Sequence, residues 1–172
     1  MTRTSNHLLA FLTLSLACAA NLQAQITDLA TFNGGNGTNP NGPLTLSGST
    51  LYGATFSGGV NSYGTVFSLP VGGGSPTDLA SFNSTNATPY GGLILSGSTL
   101  YGTSEYGGAG SDGEVFSVPV GGGTPTILAS FNGSSNGQVP NGGLTLSGST
   151  LYGTTYAGGT GGWGGVYSVP PA

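Results

Sequence analysis

The tract Leu-Tyr-Gly occurs at Leu51-Tyr52-Gly53, Leu100-Tyr101-Gly102 and Leu151-Tyr152-Gly153, at spacings of 49 and 51 residues. A fixed period near 50 residues marks one supersecondary unit that cannot bury its apolar face alone and stacks on copies of itself. The copies align without gaps through their middles: Leu51 to Pro70, Leu100 to Pro119 and Leu151 to Pro170 each span 20 residues. Connections between copies vary in length but share a Pro-x-Gly ending, seen as Pro40-Asn41-Gly42, Pro89-Tyr90-Gly91 and Pro140-Asn141-Gly142. Variable length there, against constancy inside, places the connections in surface loops.

The middle copy predicts four strands. Leu93-Ile94-Leu95-Ser96 and Thr99-Leu100-Tyr101-Gly102-Thr103-Ser104 flank a short loop of Gly97 and Ser98, the pattern of a hairpin. A glycine-rich turn leads to Glu114-Val115-Phe116-Ser117-Val118-Pro119, and Gly121-Gly122-Gly123 leads to Thr126-Ile127-Leu128-Ala129-Ser130-Phe131. No segment places apolar residues at helical spacing over three turns, so the fold class is all-β.

Before the repeats, Arg3 precedes the apolar run Leu8 to Ala17, which has the length of a secretory h-region. The expected organisation is a signal peptide over residues 1–24, cleaved after Ala24 or alternatively Ala20, and one β-repeat domain over 25–172. Within that domain a fourth-type strand covers 26–32, repeat one 44–82, repeat two 93–131 and repeat three 144–170. Glycine and proline, 35 and 10 residues, recur at matching offsets in each copy, which marks turns in a repeated fold rather than disorder.

The ends of the repeat array are out of phase. It begins with a lone fourth strand, Ile26 to Phe32, and its last repeat has a third strand, Val166 to Pro170, without a fourth. The opening strand is therefore expected to complete the last repeat and close a ring without a free edge. Propeller-like blades fit the unit length, although propellers ordinarily use four to eight blades. A homodimer completing a ring of six, in which each opening strand completes a blade of the partner, or membership of a longer repeat family, reconciles the count. A β-trefoil or β-prism is the alternative fold.

Several spaced elements recur together: Gly92-Leu93, Leu100 to Gly108, Gly113 to Val118, and Leu128 to Asn132. This pattern resembles the Gloeobacter/Verrucomicrobia repeat. The resemblance implies an exported bacterial repeat protein, propeller-like, with no assigned activity. The resemblance also implies, often, a separate C-terminal anchor or sorting signal; the sequence here ends at Pro170-Pro171-Ala172 without a hydrophobic span or basic tail, so sorting-signal anchorage is not expected.

Beyond the signal peptide the only charged side chains are Asp28, Asp78, Glu105, Asp112 and Glu114; Lys, Arg, His, Cys and Met are absent. A serine nucleophile would have no base, phosphates would meet no cation, and no disulfide can form. Nucleic acid is therefore not an expected partner, nor is an integral membrane segment expected after cleavage. Glu105, Asp112 and Glu114 are the one carboxylate group that could support glycoside chemistry, or calcium at Ser111-Asp112-Gly113-Glu114. Solvated surface charge is the simpler expectation, with no catalytic residue, metal or cofactor. Tyr52, Tyr101 and Tyr152 are expected to pack between repeats. The Asn-x-Ser/Thr triplets at Asn36, Asn83, Asn86 and Asn132 read as polar loops.

Tyr63, Asp112 and Trp163 hold equivalent positions in the glycine-rich loop between the second and third strands. They are the candidate ligand-binding residues, because an exposed ring stacks on a sugar while neighbouring polar groups bind its hydroxyls. The expected function is that of a secreted or cell-surface, non-enzymatic binding or structural module, with a carbohydrate or cell-surface component as partner. A carboxylate-dependent glycoside hydrolase or lyase, and a self-associating architectural surface protein, are the alternatives.

Overall fold

The structure, a computed structural model, describes residues 24–171. The predicted signal peptide lies almost wholly outside them. Eleven strands follow in order: β1 Thr38–Ser47, β2 Thr50–Ser57, β3 Thr65–Pro70, β4 Thr77–Ser81, β5 Pro89–Ser96, β6 Thr99–Ser104, β7 Glu114–Pro119, β8 Thr126–Ser130, β9 Thr145–Ser147, β10 Thr150–Thr155 and β11 Gly165–Val169. They form three antiparallel sheets: β1-β2-β3-β4, β5-β6-β7-β8 and the three-stranded β9-β10-β11. Among the described residues there is no helix. Each sheet runs as a meander because the predicted hairpin loop is two residues long; Ser96 pairs with Thr99 across Gly97 and Ser98. Gly97 takes φ +59°, at the position a type II′ loop reserves for glycine.

Strand alternation gives each sheet a leading and a trailing face. The trailing face of the first sheet (Val66, Ala80, with Phe82 just beyond β4) packs on the leading face of the second (Leu93, Leu100, Phe116, Val118). The second joint repeats the first: Tyr101, Val115 and Phe131 meet Leu151, Val169 and Tyr167. An aromatic pair anchors each joint edge to face, Phe82–Phe116 at 4.8 Å and Phe131–Tyr167 at 4.8 Å. The leading-face ring lies across the glycine of the Leu-Tyr-Gly tract. A Cβ on Gly102 would stand 2.6 Å from Phe116 Cζ, which is why this strand position carries no side chain. Tyr52 and Tyr101 pack between sheets as expected, whereas Tyr152 is 41% exposed because, among the described residues, no sheet covers its face.

Two expectations are corrected. The first two Pro-x-Gly segments are not surface loops, whereas Pro140-Asn141-Gly142 does lie outside any strand. The first two lie within β1 and β5, bulged between Asn41 and Thr45 and between Tyr90 and Ile94. Their glycines bring the backbones of adjacent sheets together: a Cβ on Gly42 would stand 2.4 Å from the Gly91 carbonyl carbon. Pro89 and Pro140 are buried in the joints, against Gly64 and Gly113.

Residues 26–32, expected to complete the last repeat, form no strand and do not pair with β11 in this chain. They lie on the leading face of the first sheet instead. Leu29 O accepts from Gly74 N at 2.9 Å, and Phe32 stacks edge to face on Phe67 at 5.0 Å. That repeats what β4 does to the second sheet, where Leu79 O accepts from Gly123 N at 2.9 Å and Phe82 meets Phe116. The physical reason is the bulge at Leu79, where Val66 pairs with Ala80 but Phe67 with Asp78. It turns the Leu79 carbonyl out of its own sheet toward the next, and Thr27 to Asn33 matches Thr77 to Asn83 in all but one residue.

Candidate functional site

The glycine-rich loops that carry Tyr63, Asp112 and Trp163 sit at the joints. Tyr63 O accepts from Thr88 N at 2.9 Å, and Asp112 O accepts from Val139 N at 2.9 Å, each bond crossing from one sheet to the next. The same Thr88 and Val139 accept at their carbonyls from Glu105 N and Tyr156 N, both at 3.0 Å. Being bonded on both sides holds these pre-proline residues at φ +56°, a region that β-branched residues rarely enter. The structure therefore does not bring the three candidate residues together; it distributes them one per sheet. Tyr63 is 40% exposed and Trp163 is 91% exposed, with no further sheet against it among the described residues.

The loops entering each first strand are held by asparagines. Asn33 N donates to Asn36 Oδ1 at 2.9 Å and Asn36 N to Asn33 Oδ1 at 3.1 Å, with Asn83–Asn86 and Asn132–Asn136 in the same role. Asn86 is buried by this duty. These side chains fix backbone, as the polar-loop expectation required.

The carboxylates differ from expectation at one position. Glu114 is not a solvated charge but is fully buried at the start of β7, opposite Ser104 on β6. The equivalent pair in the first sheet is Thr55 and Thr65, whose hydroxyls bond at 3.0 Å. Neither oxygen of Glu114 has a hydrogen-bond partner of normal geometry, and the Ser104 and Thr88 hydroxyls are likewise buried without one. Burial pushes the Glu114 carboxyl up to about 8, with the Gly108 N–H drawing it back only in part. That direction favours the neutral acid, and the side chain is enclosed within the fold. Tyr167 is similar: burial raises its phenol, whose oxygen also lacks a partner. Sequence reasoning missed Glu114 as an interior group; the uncharged Thr65 and Gly165 at its equivalent positions were the available signal.

An apolar groove of about 260 Å³ opens on the leading face of the first sheet. Leu29, Phe32, Leu44, Leu51, Phe67 and Leu69 line it. Each of its sheet residues has an equivalent in the second sheet that is buried by the first. The groove is therefore one half of a joint that, among the described residues, only 26–32 cover. Among the described residues no group of three or more His, Cys, Asp or Glu is placed to hold a metal.

The repeating Leu-Tyr-Gly, Gly-x-Val-Phe-Ser-Val and Leu-x-Ser-Phe-Asn elements thus coincide with β2, β3 and β4 and their equivalents, and the family profile described as Gloeobacter/Verrucomicrobia repeat matches residues 17–167. The chain belongs to the Gloeobacter/Verrucomicrobia repeat family. Neither a curated protein nor a solved structure matches it. For this member of the Gloeobacter/Verrucomicrobia repeat family, the shared motif residues serve sheet formation and sheet-to-sheet contact: Leu100 and Phe116 fill the first joint, Val115 and Phe131 the second.

Proposed function

We propose that this protein is an exported, non-catalytic β-repeat module whose sheets act as propeller-type blades and whose work is association at or outside the cell surface. One observation carries the reading: the loop positions with the best claim to a ligand, Tyr63 and Asp112, have their carbonyls engaged in the joints. The apolar side chains are likewise concentrated between sheets. The consecutive strand order of each complete sheet supports the blade plan over a β-trefoil or β-prism. Export rests on the Leu8 to Ala17 run, and the absence of any cation from 24–171 argues against nucleic acid as a partner.

The test is an assay of the purified protein for release of reducing sugar from a panel of polysaccharides. The expected result is none. Hydrolysis that disappears in Glu105→Gln or Glu114→Gln would overturn the reading in favour of a glycoside hydrolase or lyase. Glycan contact keeps one specific support, the exposed Trp163 ring. It predicts array binding that is lost in Trp163→Ala.

A further inference from the structure

The two joints are built alike, and among the described residues each outer end of the stack presents one incompletely covered half of such a joint. We infer that the trailing face and outer edge of the third sheet take up the leading face of the first sheet of a second copy of this chain, head to tail. This rests on the association reading above and names its partner.

The trailing face of the third sheet presents Tyr152 and Val166. Val166 is 80% exposed, whereas its equivalents Val66 and Val115 are fully buried in the two joints. The opposite half is the groove of the first sheet, with Leu44 at 52% and Leu46 at 61% exposure. Leu93 and Leu95, their equivalents, pack in the first joint. The polar parts match as well. Pro40 is exposed where Pro89 and Pro140 are buried against Gly64 and Gly113; Gly164 is the third such glycine. Asn39, at φ +54°, already holds the conformation of Thr88 and Val139. Its N–H is in place to donate to Trp163 O as theirs donate to Tyr63 O and Asp112 O.

The segment 26–32 makes the fit specific. Because it sits on the first sheet as β4 sits on the second, repeating the internal joint once more carries it alongside β11. Thr65, Val66, Phe67 and Ser68 pair with Ser81, Ala80, Asp78 and Thr77. The corresponding pairs are Gly165 with Thr31, Val166 with Ala30, Tyr167 with Asp28, and Ser168 with Thr27 of the second copy. Phe82 N donates to Gly64 O and Phe131 N to Gly113 O, both at 2.9 Å; Phe32 N of the second copy is the donor for Gly164 O. Such a contact joins two different surfaces, so it generates a closed ring or a filament rather than a face-to-face pair. No strand has to leave its own molecule.

The experiment is sedimentation of the purified protein over a concentration series, with emission of Trp163, the only tryptophan, recorded alongside. Mass is expected to rise above one chain with concentration, and the emission to shift to the blue over the same range. Val166→Arg blocks the trailing half and Leu46→Arg the leading half. Both positions are exposed, so each variant should keep the wild-type melting temperature and remain a monomer. Mixing the two should restore a species of two chains, because each supplies the half that the other lacks. A wild-type protein that stays monomeric at the highest concentration, assembly that survives either variant, or a mixture that stays monomeric would overturn the inference. A monomer that is still inert toward polysaccharides would sink the head-to-tail contact and leave the non-catalytic reading standing.

Discussion

The hydroxyls of Thr55 and Thr65 lie 3.0 Å apart inside the first sheet, where the second sheet has Ser104 and Glu114. One interior site is thus solved by a neutral pair in one repeat and left with an unsatisfied acid in the next. Its Glu114 carboxyl binds a proton more tightly folded, up to about 8, than unfolded, near 4.5. The stability linked to that proton is full below about pH 4.5 and is lost progressively as pH rises through 8. Melting temperature should fall across that window, and Glu114→Gln should flatten the fall. The double change Ser104→Thr with Glu114→Thr, which installs the first sheet's pair, should stabilise the protein at pH 8 by about 1–3 kcal/mol. Denaturant titrations at pH 5 and pH 8 would check both.

Glycines in turns and in joints should respond differently to alanine. At Gly97 a Cβ meets nothing within 4 Å, so only its left-handed φ of +59° is penalised; Gly97→Ala should cost roughly 1–2 kcal/mol. At Gly113, φ is +102° and a Cβ would stand 2.3 Å from Pro140 Cδ and 2.7 Å from Ser104 O. Gly113→Ala should therefore cost well over 3 kcal/mol by prising the second joint apart. Urea midpoints of the two variants give the comparison.

Phe82 is fully buried in the first joint, whereas Phe32 is only partly covered on the leading face of the first sheet. Phe82→Ala should destabilise by about 3–5 kcal/mol, as deletion of a buried ring does. Phe32→Ala should cost less than half of that. Thermal unfolding followed by circular dichroism would show the difference.

Val139 is held at φ +56°, at the position where the first repeat has Asn39. Asparagine tolerates this region far better than a β-branched residue. Val139→Asn should therefore raise stability by about 1 kcal/mol, and a drop in melting temperature would contradict the strain argument.

Strand content was legible because two-residue turns and strand ends leave short local signals. Thr99–Ser104 and Glu114–Pro119 were read from the sequence with the bounds they have as β6 and β7. The first two Pro-x-Gly segments were misread because a glycine that lets two backbones touch, as Gly42 does against Gly91, looks in sequence like one that makes a loop. Residues 26–32 match β4 in sequence yet form no strand themselves, and a string of residues does not say which of two flanking sheets it serves. That choice follows the Leu29 carbonyl, which accepts from Gly74 N as the Leu79 carbonyl, turned out at its bulge, accepts from Gly123 N. The candidate loop was located by its equivalence across repeats. What it does there was hidden because its Tyr63 and Asp112 bonds are made by backbone atoms, which every residue type possesses.

In the head-to-tail contact proposed above, the station of residues 26–32, ahead of the first sheet rather than behind the last, would set the unit of growth. Any particle extended by repetition of the internal joint would enlarge by whole molecules, each delivering its own 26–32 segment. Its blade total would climb as six, nine or twelve, and intermediate totals such as seven or eight would require a chain of different length.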